Sequence, residues 1–178
     1  MEEHVIVDSS FSAIINAPLD RIDVPAWCFS LPDDEYQGCS PAHFAAGSTT
    51  ARDGRRMSIN VEVIGGTPMV QHYVEQIAEK HHLVLDSVSD LFTPSGRTNM
   101  LVMWELTVKQ LGPGKCELTN HVRTRATEQF WDYLARQGIP FEVFREQRGP
   151  ISTAHNRQET PFFAASIERH ALRRTNAA

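Results

Sequence analysis

From residue 36 to residue 127 apolar side chains recur mainly at every second position, and the interruptions fall at turn-forming clusters. The clusters are Asp53-Gly54, Gly65-Gly66-Thr67-Pro68, Thr93-Pro94-Ser95-Gly96 and Gly112-Pro113-Gly114-Lys115. They predict strands over 42–51, 55–64, 69–78, 83–91, 97–111 and 116–126, joined by hairpins into one antiparallel sheet. An earlier strand is expected over 5–16, where Val5, Val7, Phe11, Ala13 and Ile15 alternate. After Thr127 the period becomes helical: Phe130, Trp131, Leu134 and Ala135 share a face that Thr127 can cap. A break is expected at Gly149-Pro150, then a closing helix over 151–172. Pro161 must kink that helix or restart it with Thr160 as N-cap. No other long element is present to bury the apolar face of the sheet. The expected fold class is therefore α+β, a curved antiparallel sheet wrapped around a long C-terminal α-helix with a space between them.

Between the first strand and the hairpins, Asn16 is a plausible N-cap and Pro18 fits the first turn of a short helix. Ile22, Val24, Trp27 and Phe29 supply apolar anchors, Pro25 is expected to stop any long helix, and 31–34 reads as a loop.

Alternation also predicts which faces turn inward. In 55–64, Met57, Ile59, Val61 and Val63 make the buried face and Arg56, Ser58, Asn60 and Glu62 the wet one. Strand 69–78 is polar on both faces, as a cavity wall would be. If Val70, His72 and Val74 face in, His72 meets the cavity; the alternative is a surface histidine on an edge strand. Trp104 shares an apolar face with Met100, Val102, Leu106 and Val108, which leaves Glu105 outside. Asn120 alternates with Leu118 and Val122 and is a candidate buried amide that needs partners.

Composition removes several functions. Seventeen Lys and Arg against 22 Asp and Glu give a net charge of −5, so no nucleic acid is expected as partner. The longest apolar run, Met100 to Trp104, is too short for a membrane span, and Met1-Glu2-Glu3-His4-Val5 lacks the pattern of a secretory signal. Cys28, Cys39 and Cys116 are odd in number and match no zinc spacing, which fits a reduced, cytoplasmic protein. Cys39 and His43 stand alone rather than in the Cys-x-His pairs of a Rieske cluster. The clustered Arg169, Arg173 and Arg174 read as a basic helix C-terminus. No nucleotide-binding glycine motif occurs.

The stretch Phe11-Ser12-Ala13-Ile14-Ile15-Asn16-Ala17-Pro18 resembles the first strand of START-like proteins, also called Bet v 1-like or SRPBCC proteins. The strand ending near Leu111, the Gly112-Pro113-Gly114-Lys115 turn, the strand from Cys116 and the terminal helix are similar to the second half of polyketide cyclase and lipid-transport members. The resemblance lies in order and pattern over most of the chain. It implies a single domain over 1–178 with the helix-grip fold, departing from shorter members by an inserted helical segment at about 128–150. That segment would be a lid or a subunit contact; in the latter case Phe130, Trp131, Phe141 and Phe144 would form an exposed aromatic patch and the chain a homodimer.

The resemblance implies a small hydrophobic or aromatic molecule held between sheet and helix, with Met57, Tyr73, Trp104, Asn120 and Phe162 as candidate wall residues. The other reading is an enzyme of the polyketide cyclase, dehydratase or hydrolase type in the same cavity, with His72, His155 and Glu159 as candidate catalytic residues. Fold analogy does not choose between them. Convergent ionisable groups around the cavity favour an enzyme; a purely apolar wall favours a carrier. His155 and Glu159, at i and i+4, can pair an acid with a base or chelate a metal, with His72 or Glu105 as a further ligand from the sheet; a solvent-facing pair is the alternative. No metal is assigned from this spacing, and no cofactor is called for.

Overall fold

The structure, a computed structural model, describes residues 4–173. Met1, Glu2 and Glu3 of the acidic start, and Arg174 of the basic cluster, lie outside the described residues. Seven strands form one antiparallel sheet: β1 (Val5–Ile15), β2 (His43–Thr50), β3 (Arg56–Ile64), β4 (Thr67–Glu79), β5 (His82–Thr93), β6 (Gly96–Gly112) and β7 (Lys115–Ala126). Their order is β1-β7-β6-β5-β4-β3-β2, so each hairpin adds a neighbour and β1 returns to flank the last strand. The chain must therefore cross the width of the sheet between β1 and β2. It does so through a 3-10 turn (Leu19–Arg21), α1 (Val24–Phe29) and α2 (Asp33–Gln37). Two short helices follow different rules from those the sequence suggested. Pro25 starts α1 rather than ending it: it sits in the first turn, where its missing N–H costs nothing, and Asp23 caps the helix by accepting from Ala26 N at 2.9 Å. Of the segment 31–34 expected to be a loop, Leu31 and Pro32 remain one, but Asp33 and Asp34 open α2, whose first turn carries Asp33, Asp34 and Glu35 beside the positive end of the helix dipole.

Thr127 caps α3 (Glu128–Gln137) by accepting from Phe130 N, and Gly138 ends it in the left-handed conformation. The closing helix, α4 (Phe141–Arg173), is longer than predicted. It runs 33 residues and holds both Pro150 and Pro161, each of which removes one helical hydrogen bond. Tertiary bonds hold it along its length. Arg148 donates to Ile64 O, and Asn156 Nδ2 donates to Ser9 O at 3.0 Å and to Ser9 Oγ at 2.9 Å. Trp27 Nε1 donates to Ser166 Oγ at 2.8 Å, and Arg169 and Arg173 both pair with Glu35.

Two apolar cores flank the helix. The larger joins α1, α2, β5, β6 and β7 to Phe163, Ala164, Ile167 and Ala171 of α4. The smaller lies at the other end, where Phe130, Tyr133, Leu134 and Phe141 pack on Ile6, Val7, Ile64, Met69 and Met100. The proposed aromatic patch is thus internal: Phe130 and Phe141 are buried, and Trp131 and Phe144 are half-buried against them.

On β3 the inward face is the reverse of the one predicted, and on β4 the alternative with His72 at the surface holds, though the strand is an internal one. Ser58, Asn60 and Glu62 are buried, and Met57, Ile59, Val61 and Val63 are half-exposed. Met69, Gln71 and Tyr73 face in on β4, and Val70, His72 and Val74 face out. Met57 and His72 therefore do not meet the interior. His72 instead borders an open depression on the outer face with Arg55, Asp86 and Arg125.

Glu105 is also outside. It accepts from His82 at 2.8 Å and His121 at 3.1 Å, while His121 Nε2 pairs with Asp8 at 2.7 Å and Arg123 stands 3.5 Å from Asp8. Burial alone would push the His121 ring down, but Asp8 and Glu105 outweigh it and hold its pKa above the ordinary value. This group stabilises the fold fully below about pH 6.5, and its contribution fades as pH rises through the raised folded-state value. The urea stability of His121→Gln is expected to fall furthest below wild type near pH 6, with the gap narrowing at alkaline pH; a gap independent of pH would refute the pairing. A second expectation concerns the β3–β4 turn. Gly65 has φ +56°, and a Cβ there would stand 2.8 Å from Ile151 of α4, whereas Gly54, at φ +89°, has open space. Gly65→Ala should cost more than Gly54→Ala, which carries only the left-handed penalty of about 1–2 kcal/mol. Chemical denaturation of both variants measures the difference.

Candidate functional site

The site begins with strand register. The β2–β3 hairpin pairs Thr50 with Arg56, and an unbroken ladder would set His43 opposite Val63. A bulge between His43 and Ala45 shifts the pairing by one, so His43 faces Glu62 across the strands. Because the polar face of β3 is inward, this cross-strand pair points at α4. There His155 and Glu159, one helical turn apart, point back at it.

Four side-chain atoms converge. His43 Nε2 lies 3.1 Å from Glu159 Oε2 and 3.6 Å from Glu62 Oε2. His155 Nε2 lies 3.1 Å from each of the same two oxygens. The side chain of His43 is fully enclosed, and that of His155 is 11 % exposed. The surroundings fix the orientation of each group. His43 Nδ1 is 2.9 Å from Tyr36 O, and the Tyr36 ring stacks on the imidazole at 4.0 Å and 3°. Asn120 Nδ2 donates to Glu159 Oε1 at 3.4 Å and to Thr160 Oγ1 at 3.2 Å, while its Oδ1 accepts from Trp104 Nε1 at 2.8 Å. The buried amide is thereby satisfied. Burial opposes charge on His155, yet its bonds to Glu159 and Glu62 prevail and lift its pKa to about 10. Burial likewise raises Glu159, but His155 and His43 outweigh it and hold the carboxyl well below the usual range.

A cavity opens beside the cluster. About 60 Å3 of it can be reached by the centre of a water molecule, within about 650 Å3 of atom-free space that includes the mouth. Its lining is mixed: apolar and aromatic side chains such as Met100, Val102, Trp104, Val122 and Phe163 stand with polar ones such as Glu62, His155, Glu159, Asn60, Gln71 and Arg148.

Of the residues singled out in the sequence, Tyr73, Trp104, His155 and Glu159 line this cavity. Asn120 stands behind Glu159, bonded to it. Phe162 is 49 % exposed, because the lining position one residue on is Phe163. His72, Met57 and Glu105 belong to the outer face, so the sheet residues that meet His155 and Glu159 are His43 and Glu62 and not His72 or Glu105. His43 and Glu62 were missed. The available signal was their common hairpin around Asp53-Gly54, but their pairing depends on the bulge.

No protein-family model matches the chain, and no curated protein sequence matches it. Solved structures do. The Zhui aromatase/cyclase from Streptomyces sp. R1128 superposes with a TM-score of 0.62 at 12 % identity, covering 94 % of this chain and 94 % of that one. A START superfamily protein from Mycobacterium smegmatis gives a TM-score of 0.54 at 14 % identity, covering 93 % and 97 %. The di-domain ARO/CYC StfQ from the steffimycin biosynthetic pathway gives 0.55 at 12 % identity; 98 % of this chain matches 54 % of it, so this chain spans about half its length. At such identities the likeness is one of fold. Hairpin order, the return of β1 beside β7 and the long helix laid across the sheet agree with it, and the chain has the helix-grip fold of the START-like superfamily.

Proposed function

We propose that this protein binds one small, partly aromatic molecule between α4 and the sheet, and that the His–Glu cluster acts on the polar end of that molecule. The observation that supports this reading is the mixed lining of the cavity. Trp104, Phe163, Val102 and Met100 offer apolar surface, and Glu62, His155 and Glu159 bring a convergent charged cluster to the same space. A ligand there buries an apolar body and meets hydrogen-bonding groups. Likeness in fold to an aromatase/cyclase supports the class of binder.

Catalysis in this cavity, by cyclisation, dehydration or hydrolysis, is favoured by the convergence of four ionisable groups, an arrangement a passive apolar carrier does not need. His155 and Glu159 are the groups exposed to the ligand, and His43 supports them from behind.

Native mass spectrometry of protein purified from its own host is expected to reveal a one-to-one complex with a small organic compound. Val122→Phe, which adds bulk to the lining, should lower occupancy about tenfold or more while far-ultraviolet circular dichroism stays unchanged. The same compound at undiminished occupancy in Val122→Phe would place the ligand elsewhere. With the compound in hand, His155→Ala or Glu159→Gln should lower turnover about 100-fold or more if the cluster transfers a proton; unaltered turnover in both would leave binding alone.

A further inference from the structure

We propose that His43, Glu62, His155 and Glu159 together form a binding site for a single divalent first-row transition ion, with Zn2+ the best geometric match. Their ligating atoms all lie within 4.8 Å of one another. The four His-to-Glu separations, 3.1, 3.1, 3.1 and 3.6 Å, form a closed ring in which the two imidazoles alternate with the two carboxylates. A tetrahedral ion with bonds of about 2.0–2.2 Å holds neighbouring ligand atoms about 3.3–3.6 Å apart. The four His-to-Glu separations fall within a few tenths of an ångström of that range, and the two remaining separations, between like groups, are within 4.8 Å.

Orientation points the same way. His43 Nδ1 lies within hydrogen-bonding distance of Tyr36 O, which turns Nε2 toward the two carboxylates. Among the described residues, the ion pairs of Glu62 and Glu159 are with these two histidines. An imidazole whose outer nitrogen donates to a backbone carbonyl is the usual posture of a metal-bound histidine. Glu159 is braced in the same manner through Asn120 and Trp104. The donor set is two nitrogens and two oxygens with no thiolate, which suits Zn2+ or Fe2+ and disfavours Cu+. Mg2+ and Ca2+ demand six or more oxygens, which the cluster does not offer.

Position adds a use. Glu62, His155 and Glu159 line the cavity and His43 does not, so the ion is closed from behind and approachable from the cavity side. A carboxylate, phenolate or carbonyl oxygen of a bound molecule could approach there and be polarised. The site stands on its four residues and not on the ligand of the previous subsection, so the two proposals fail separately. The competing occupant is a proton on each ring.

The test is titration of the whole, chelator-treated protein with Co2+, followed by Zn2+. The expected result is one ion per chain, intense visible bands of four- or five-coordinate Co2+, their loss on adding Zn2+, and a rise in thermal midpoint with either ion. Glu62→Gln and His155→Gln should weaken binding by about 100-fold or more, and Asn120→Ala, which removes the brace on Glu159 together with the bonds to Trp104 and Thr160, by about tenfold. His72→Gln, on the outer face, should leave it unchanged. Glu159→Asp keeps the charge that supports folding but withdraws the carboxylate by one methylene, and should also bind weakly. The proposal is overturned if Co2+ gives only the pale six-coordinate spectrum with no thermal shift, or if folded Glu62→Gln, His155→Gln and Glu159→Asp bind as tightly as wild type.

Discussion

Two carboxylates, Glu62 and Glu159, are buried between a sheet and a helix, and the arrangement of the inner half of this protein follows from what keeps them there. A carboxylate removed from water costs several kcal/mol unless charge and hydrogen bonds replace its hydration. His43 and His155 supply both. One partner of each kind comes from the β2–β3 hairpin and one from α4, so parting the sheet edge from the helix breaks the His43–Glu159 and His155–Glu62 pairs and leaves each carboxylate with one histidine where it had two. The same requirement accounts for the polar inner face of β3 and β4. Ser58, Asn60 and Gln71 are buried beside Glu62, where an aliphatic face would have left the cluster without dipoles around it.

Trp104 joins this polar half to the apolar one. Its ring lies 5.4 Å from Tyr73, 5.5 Å from Phe163 and 6.5 Å from Trp27, at the meeting point of β4, β6, α1 and α4. Its indole N–H is spent on Asn120, whose amide reaches Glu159. A displacement of the large core is thus felt at the carboxylate through two hydrogen bonds. The polar groups are held by packing before any ligand arrives, which is the condition for an electrostatic site to act without reorganising.

The architecture was legible because hairpin turns and alternation are local properties. Asp53-Gly54 and Gly112-Pro113-Gly114-Lys115 mark their reversals without reference to the rest of the chain, and the terminal helix was required by the face it covers. The face assignment was legible only where the inner surface is apolar. Trp104 and Asn120 fell on the correct side because β6 and β7 border the large core. On β3 the rule that apolar residues turn inward failed, because one face lines a cavity and the other, though apolar, is half-exposed, and Met57 was misplaced for that reason. On β4 both faces carry polar residues, so alternation could not decide which side His72 takes. On α4 the spacing of His155 and Glu159 was plain, but their partners were not: a one-residue bulge selects Glu62 over Val63 for His43, and backbone irregularity of that kind leaves little trace in residue types. Pro150 and Pro161 misled in the opposite direction. Prolines argue against a continuous helix from local energetics, and here tertiary bonds from Arg148, Asn156 and Ser166 outweigh two missing backbone bonds.

The small size of the cavity bears on selectivity. A wide apolar hollow discriminates poorly, since each methylene changes affinity only modestly and a guest can shift to fit. Here the reachable space is about 60 Å3 and its inner end is ringed by groups that must each keep a partner. A molecule that enters without satisfying Glu62, His155 or Glu159 displaces water from charged atoms and returns nothing, a penalty of the same order as the affinity it could gain from Trp104 and Phe163. On the proposed reading, a guest must satisfy these hydrogen-bonding groups as well as contact Trp104 and Phe163, which line the same cavity.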